Sequence, residues 1–298
     1  MSETVLILGA SGKIGRQAAA AFGAAGWTVR LYERRAGDMV RQAEGAQVIV
    51  NGLNPPNYHN WAKLVPQITA QVLDAARSSG ATVIVPGNVY VFGDTPGLWS
   101  ETTPHRPVSR KGRIREEMEQ AYAASGVQTI LLRAGDFISG TAGDTDLMSH
   151  VHLRGLGRGV VTSLGPPDTL HAYAYLPDWA RCAVGLAEKR STLPVWTDVS
   201  LGEANFTVTE LADTLSEALG RPLRIKEFGW WQMRLAAPVW ELARELLEMR
   251  YLWATPHGLD QSKLEALLPD FRNTDLATVM CSGLGPAKRP RPTATRPT

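Results

Sequence analysis

A short run near the N-terminus, Val5-Leu6-Ile7-Leu8-Gly9-Ala10-Ser11-Gly12-Lys13-Ile14-Gly15, leaves this chain few folds to choose from. Four consecutive branched apolar residues read as a strand buried on both faces. Arg16-Gln17-Ala18-Ala19-Ala20-Ala21-Phe22 then reads as a helix. The glycines between them have separate roles: Gly9 permits the tight turn, Gly12 lets a ligand approach the backbone, and Gly15 lets helix and strand pack closely. Strand, turn and helix together present backbone N–H groups and a positive helix end to a pyrophosphate. The expected ligand is a dinucleotide held by Gly9, Ala10, Ser11, Gly12, Lys13, Ile14 and Gly15.

Further along, Trp27–Tyr32 reads as a second strand ending at Glu33-Arg34. A carboxylate there accepts hydrogen bonds from ribose hydroxyls, whereas an arginine pairs with a 2′-phosphate. NAD and NADP both stay open, with Glu33 tipping the choice slightly towards NAD. The segment from Arg34 to Gln47 is too short and too polar for the helix, strand and helix that a full doubly wound unit would place there. The third strand is therefore expected to be short or missing. Gln47–Asn51 reads as the next central strand, with Asn51 and Leu53 at its cofactor end. The loop after it carries Pro55-Pro56 and then Tyr58, His59 and Trp61, which can line the cleft or pack on the surface. A helix over Leu64–Ser79, a strand over Ala81–Pro86, a helix over Ser109–Ser125 and a strand over Val127–Arg133 continue the alternation.

The expected fold is α/β, a Rossmann-type doubly wound parallel sheet with a smaller, mostly helical C-terminal lobe. Residues 1–165 form the dinucleotide-binding domain, and 166–285 form a substrate lobe that returns elements to the sheet. Residues 286–298, rich in proline and threonine, form a disordered tail. The formal charge of +2 argues against nucleic acid or membrane surface as partner, and no apolar run approaches a membrane span. Two cysteines, Cys182 and Cys281, are too few for a disulfide framework. With the first strand starting at once and no signal peptide ahead of it, the reading is a cytoplasmic protein with a small-molecule substrate; a homodimer is one assembly this allows. His150 and His152, near Asp144 and Asp146, invite a metal reading, but nothing fixes their geometry and no metal is assigned. Trp230, Trp231, Trp240 and Trp253 read as lobe core on helices split by Pro238.

Several motifs together carry a family resemblance: the glycine turn at Gly9, Val91-Phe92-Gly93, Glu101-Thr102-Thr103-Pro104, Leu132-Arg133, Leu176-Pro177-Asp178, and the helix with Thr209-Glu210-Leu211 and Ala218-Leu219-Gly220. The chain resembles the extended and atypical short-chain dehydrogenase/reductase superfamily, the NAD-dependent epimerase/dehydratase group. That resemblance implies catalysis by a Ser/Thr, a Tyr, and a Lys four residues after the Tyr, the lysine holding the ribose and lowering the tyrosine pKa. Here Asn88 falls at the serine position, Lys111 at the tyrosine and Arg115 at the lysine. Four readings follow. Lys111 is itself the acid/base; the run Lys111-x-x-Ile114-Arg115 also looks like the lysine motif of the isoflavone-reductase-like and NmrA-like branch. Alternatively Tyr90 supplies the proton while Lys111 or Arg115 holds the cofactor. In the third, the site binds a dinucleotide without chemistry, as a redox sensor or regulatory protein. In the last, Lys111 and Arg115 form a surface ladder with Glu116, Glu117 and Glu119. Asn88, Tyr90, Lys111 and Arg115 are the candidate catalytic residues of an NAD(P)-dependent oxidoreductase or epimerase-like enzyme.

Overall fold

The computed structural model describes residues 2–141, 144 and 146–284. The expected disordered tail lies outside them. The chain opens with β1 (Thr4–Leu8), α1 (Lys13–Ala24), β2 (Thr28–Leu31), the short α2 (Met39–Ala43), β3 (Val48–Asn51), α3 (Trp61–Ser79) and β4 (Thr82–Gly87). It continues through β5 (Gly97–Trp99), α4 (Arg110–Ala123), β6 (Thr129–Arg133), β7 (Asp136–Ile138), β8 (Val160–Ser163), β9 (His171–Tyr175) and α5 (Leu176–Glu188). The last part holds β10 (Trp196–Ser200), β11 (Ala204–Phe206), α6 (Val208–Leu219), β12 (Arg224–Glu227), α7 (Trp230–Ala236), α8 (Glu241–Met249), β13 (His257–Leu259), α9 (Ser262–Leu267) and α10 (Leu276–Cys281).

Six parallel strands form the main sheet in the order β10-β6-β4-β3-β1-β2. The edge strand beyond β1 is β2, and α2 leads straight back to β3. The strand that a full doubly wound unit places outside β2 is missing, as the short polar segment predicted. Alternate residues of β1 enter opposite cores, which is the period-2 rule for a strand covered on both faces. Val5 and Ile7 pack with Phe22 of α1 and Trp179 of α5, while Leu6 and Leu8 pack with Val65 and Val72 of α3 and Met118 and Tyr122 of α4.

The chain crosses between sheet and lobe more than once. After β6 it leaves for β7 and β8, returns as α5 against α1, and supplies β10 to the sheet edge. Helices α5 to α10 dominate the lobe, and short strands tie it together: β7, β9 and β11 form a small sheet while β8 pairs with β12 and β5 with β13. Its core gathers Ile138, Tyr173, Phe206, Leu211 and Val279. Thr207 caps α6 in a reciprocal pair with Glu210. Pro238 lies between α7 and α8, but the tryptophan stripe is only partly core. Trp230 is buried, whereas Trp231 is 62% and Trp240 45% exposed. His150 and His152 lie in a π-helical turn, Met148–His152, rather than on a strand. His152 is bonded to the Thr162 carbonyl and the Tyr173 hydroxyl, and Asp146 caps the backbone N–H groups of Ser139 and Ser149. Among the described residues no group of three or more His, Cys, Asp or Glu could hold a metal ion. Cys182 and Cys281 are both buried, and no described helix is long and apolar enough to cross a membrane.

Candidate active site

A cleft of about 410 Å³ opens at the carboxyl ends of β1, β3, β4 and β6, where open parallel sheets bind their ligands. Lys13 and Ile14 from the first turn of α1 line it, as do Asn51 and Leu53 after β3 and Asn88 and Tyr90 after β4. Arg115 of α4 lines it as well, with Asp136 and Phe137 of β7 and Leu242 of α8.

The glycine turn is built for close approach. Gly9 has φ +71°, and a Cβ there would lie 2.7 Å from the Gly52 carbonyl oxygen. A Cβ on Gly15 would sit 2.3 Å from the Gly9 carbonyl oxygen and 2.7 Å from Ala10 Cα. Gly12, the N-cap of α1, differs: a Cβ there meets only the Gly9 carbonyl oxygen, at 3.2 Å. Gly9 and Gly15 therefore hold the turn together, while Gly12, with Ala10 and Ser11, shapes its exposed face. A cradle that a side chain would fill, beside the positive end of α1, fits a pyrophosphate. Glu33 and Arg34 lie exposed at the end of β2, away from the cleft lining. The Gln42 side chain clamps the backbone N–H and carbonyl of Glu33, fixing this corner.

The four candidate catalytic residues separate. Asn88, Tyr90 and Arg115 share the cleft, but Lys111 does not line it. Lys111 is fully buried, and its Nζ pairs with Glu245 and, at 2.6 Å, with Glu248, both on α8. Its backbone N–H also donates to Glu248. The surface ladder does not form: Glu119 is buried against Arg133, and Arg115 stacks 4.6 Å over the Trp61 ring. Arg115 donates to the Asn54 side chain, and its Nε is buried with no partner. A buried, unpartnered guanidinium N–H in the cleft suits a ribose or phosphate oxygen.

Tyr58, from the loop after β3, brings its hydroxyl within 3.2 Å of the Tyr90 hydroxyl. That loop is strained: Asn57, Tyr58 and Asn60 have φ of 53°, 60° and 49°. Asparagine tolerates this region, whereas tyrosine adopts it only when its surroundings hold it there. Burial pushes both phenols above their ordinary pKa, and the Asp136 charge adds to it while Arg115 opposes it. The pair is thus held as neutral O–H donors. The Asn88 side chain accepts the Tyr90 N–H, and the Asn88 carbonyl accepts from buried Arg133 at 2.6 Å, so the turn that carries Tyr90 is fixed from both sides.

Sequence reasoning left Tyr58 between cleft and surface and did not single out Asp136 or His171. Asp136 faces the cleft and accepts a 2.9 Å hydrogen bond from His171 Nε2. Asp136 lies three residues beyond the end of β6, but His171 lies 35 residues further on, and no local spacing links them.

No protein-family model and no curated protein matches the chain. Solved structures do share its fold. MoeE5 in complex with UDP-glucose and NAD aligns with a TM-score of 0.73 at 15% identity, covering 94% of this chain and 97% of that one. UDP-glucose 4-epimerase from Brucella ovis in complex with NAD gives 0.69 at 20% identity, with 94% and 97% covered. UDP-glucuronic acid 4-epimerase from Bacillus cereus in complex with NAD gives 0.71 at 14% identity, covering 94% and 95%. Over 94% of its length, sheet and lobe together, the chain therefore shares one fold with these structures, the Rossmann-type parallel sheet with a second lobe that its motifs suggested.

Proposed function

We propose that this protein is an NAD(P)-dependent, epimerase-like oxidoreductase acting on a small carbonyl or hydroxyl compound. The observation that carries the reading is the Tyr58–Tyr90 hydroxyl pair, set in the same cleft as the first turn of α1 and the Arg115 guanidinium. The Gly9–Gly15 turn and the start of α1 would hold the pyrophosphate, Arg115 a ribose, and Glu33 or Arg34 the adenosine end. Bound there, the dinucleotide would supply hydride-transfer chemistry. Tyr90 gives a proton to the substrate oxygen and takes it back, with Tyr58 donating to the Tyr90 oxygen while that proton is away. Arg115 stabilises the resulting negative charge. This pairing does the work that a tyrosine and lysine on α4 do in the family it resembles. Lys111 has no part in it, because its charge is spent on α8.

The solved epimerases make UDP-glucose, UDP-glucuronic acid and UDP-N-acetylglucosamine the first substrates to try. The test is a titration of the purified protein with NADH and NADPH, followed through quenching of tryptophan fluorescence, since Trp61 lines the cleft. Saturable quenching is expected, with Arg115→Met weakening it by about tenfold. Absence of saturable binding by the wild type would sink the proposal. Tight binding with no turnover of any of these sugars would favour a non-catalytic sensor, and turnover unaffected by Tyr90→Phe would remove Tyr90 from the chemistry.

A further inference from the structure

The geometry points to a second chemistry in this cleft: keto–enol interconversion, with Asp136 as the base and the Tyr58–Tyr90 pair as the hydrogen-bond donors to the enolate oxygen. The inference rests on the reading of the cleft as a site for small carbonyl or hydroxyl compounds, and it needs no cofactor.

Two observations carry it. The first is a division of labour within the cleft. Tyr58 and Tyr90 line it with their hydroxyls 3.2 Å apart, held protonated by burial. Neutral phenols in a partly dry cleft are poor bases and good donors to an oxygen that gains negative charge. Asp136 lines the same cleft, its side chain 30% exposed. The second observation is the support behind Asp136. His171, its side chain only 6% exposed, donates through Nε2 at 2.9 Å. Its ring packs 4.6 Å from that of His257 and 4.8 Å from that of Tyr173. The other nitrogen, Nδ1, is buried without a partner, and so is His257 Nε2. Burial drives His257 down to about 3 and His152 down to about 4, so both stay neutral near pH 7. Of this buried histidine cluster, His171 alone faces a carboxylate. It positions Asp136 and favours its ionised form: burial would raise the Asp136 pKa, but the His171 hydrogen bond opposes it and the carboxyl ends below its ordinary value.

The step balances without an oxidant. Asp136 takes a proton from the carbon next to a carbonyl. The C–H electron pair becomes the C=C bond, and the carbonyl π pair moves to oxygen, whose negative charge accepts the Tyr90 hydroxyl hydrogen bond. Tyr58 donates in turn to the Tyr90 oxygen. Return of the proton to either face of the carbon restores the ketone with the same or the opposite configuration. Such a site serves ketones with a neighbouring C–H, and it lets an epimerase-like enzyme invert a centre adjacent to the oxidised carbon.

Hydroxyacetone in D2O is the probe, with carbon-bound deuterium read by NMR, with and without NAD. The wild type is expected to accelerate exchange in both cases. Asp136→Asn should lower that by about 100-fold and Tyr90→Phe by about tenfold. His171→Leu should move the rising limb of the pH profile to higher pH, since the Asp136 carboxyl loses the bond that lowers it; a merely structural role would change the rate without moving the midpoint. The titratable and charged groups around Asp136 in that profile are His171, His257, His152 and Tyr173, with Tyr58, Tyr90 and Arg115 lining the same cleft. Binding of 4-nitrophenol as its anion reports on folding of the variant. Asp136→Asn, having lost a nearby negative charge, should bind it about tenfold more tightly than the wild type. Exchange no faster than in buffer, exchange unchanged in Asp136→Asn, or no tightening of 4-nitrophenolate would overturn the inference. A protein that exchanges but binds no NADH or NADPH fails the redox proposal and keeps this one; binding without exchange does the reverse.

Discussion

Lys111 Nζ lies 2.6 Å from Glu248 Oε2, joining the start of α4 to α8 across the lobe boundary. Glu245 and Arg110 complete the clasp. Removing the cation leaves Glu245, 7% exposed, without its buried partner. Lys111→Ala should therefore cost about 3 kcal/mol or more, a melting-temperature loss of about 6 °C by calorimetry. Dinucleotide affinity should stay within about twofold of wild type, because Lys111 does not line the cleft. A large loss of affinity at unchanged stability would return Lys111 to the active site.

Tyr90→Phe and Tyr58→Phe separate donor from support. The first removes the proton that reaches the substrate and should lower kcat/KM by about 100-fold. The second removes one hydrogen bond to the Tyr90 oxygen and should cost about tenfold. Steady-state rates on whichever of the three UDP-sugars turns over decide between them. Equal losses would contradict the order proposed.

The glycine turn predicts a split between stability and binding. Gly15→Ala drives a Cβ to 2.3 Å from the Gly9 carbonyl oxygen; the turn must shift, and melting temperature and cofactor affinity should fall together. Gly12→Ala meets nothing closer than 3.2 Å, so the melting point should hold while cofactor affinity drops.

For the adenosine end, NADH is expected to bind more tightly than NADPH. Glu33→Ala should narrow the gap, and Arg34→Ala should weaken NADPH alone. Paired fluorescence titrations read this directly; a wild-type preference for NADPH would reverse the assignment.

Glu203 gives a pH signature. Burial raises its carboxyl to about 7, although the Tyr175 N–H donates to it, and its second oxygen is buried without a partner. The folded state thus binds this proton more tightly than the unfolded state. Its contribution is present in full below the unfolded pKa near 4.5 and is lost as pH rises through about 7. Melting temperature should fall between pH 5 and pH 8, and Glu203→Gln should flatten that fall and stabilise the protein at pH 8.

The sequence carried the fold because its signals were local. Four apolar residues before Gly9 predict a strand covered on both faces, and Val5 and Leu6 do enter different cores. The polar stretch before Val48 was too short for the missing strand. The lobe was harder to read. Its three-residue strands, β7 and β11 among them, exist only because β9 lies between them, and such pairing leaves no periodicity within the segment itself.

By itself, then, the sequence determined a parallel sheet, the glycine turn between β1 and α1, and the strand ends that bring Asn51, Asn88 and Tyr90 to the cleft. Each follows from a pattern local to its own strand and turn, whereas Arg115 came from the family resemblance. Only the tertiary structure decided what the charged and phenolic groups do. Lys111 looks like an active-site lysine until α8 delivers Glu248 from 137 residues away. Tyr90 acquires its partner across 32 residues and Asp136 its histidine across 35. Side-chain chemistry at a site depends on which neighbour arrives and how much water it excludes, and those are properties of the packed molecule rather than of the segment.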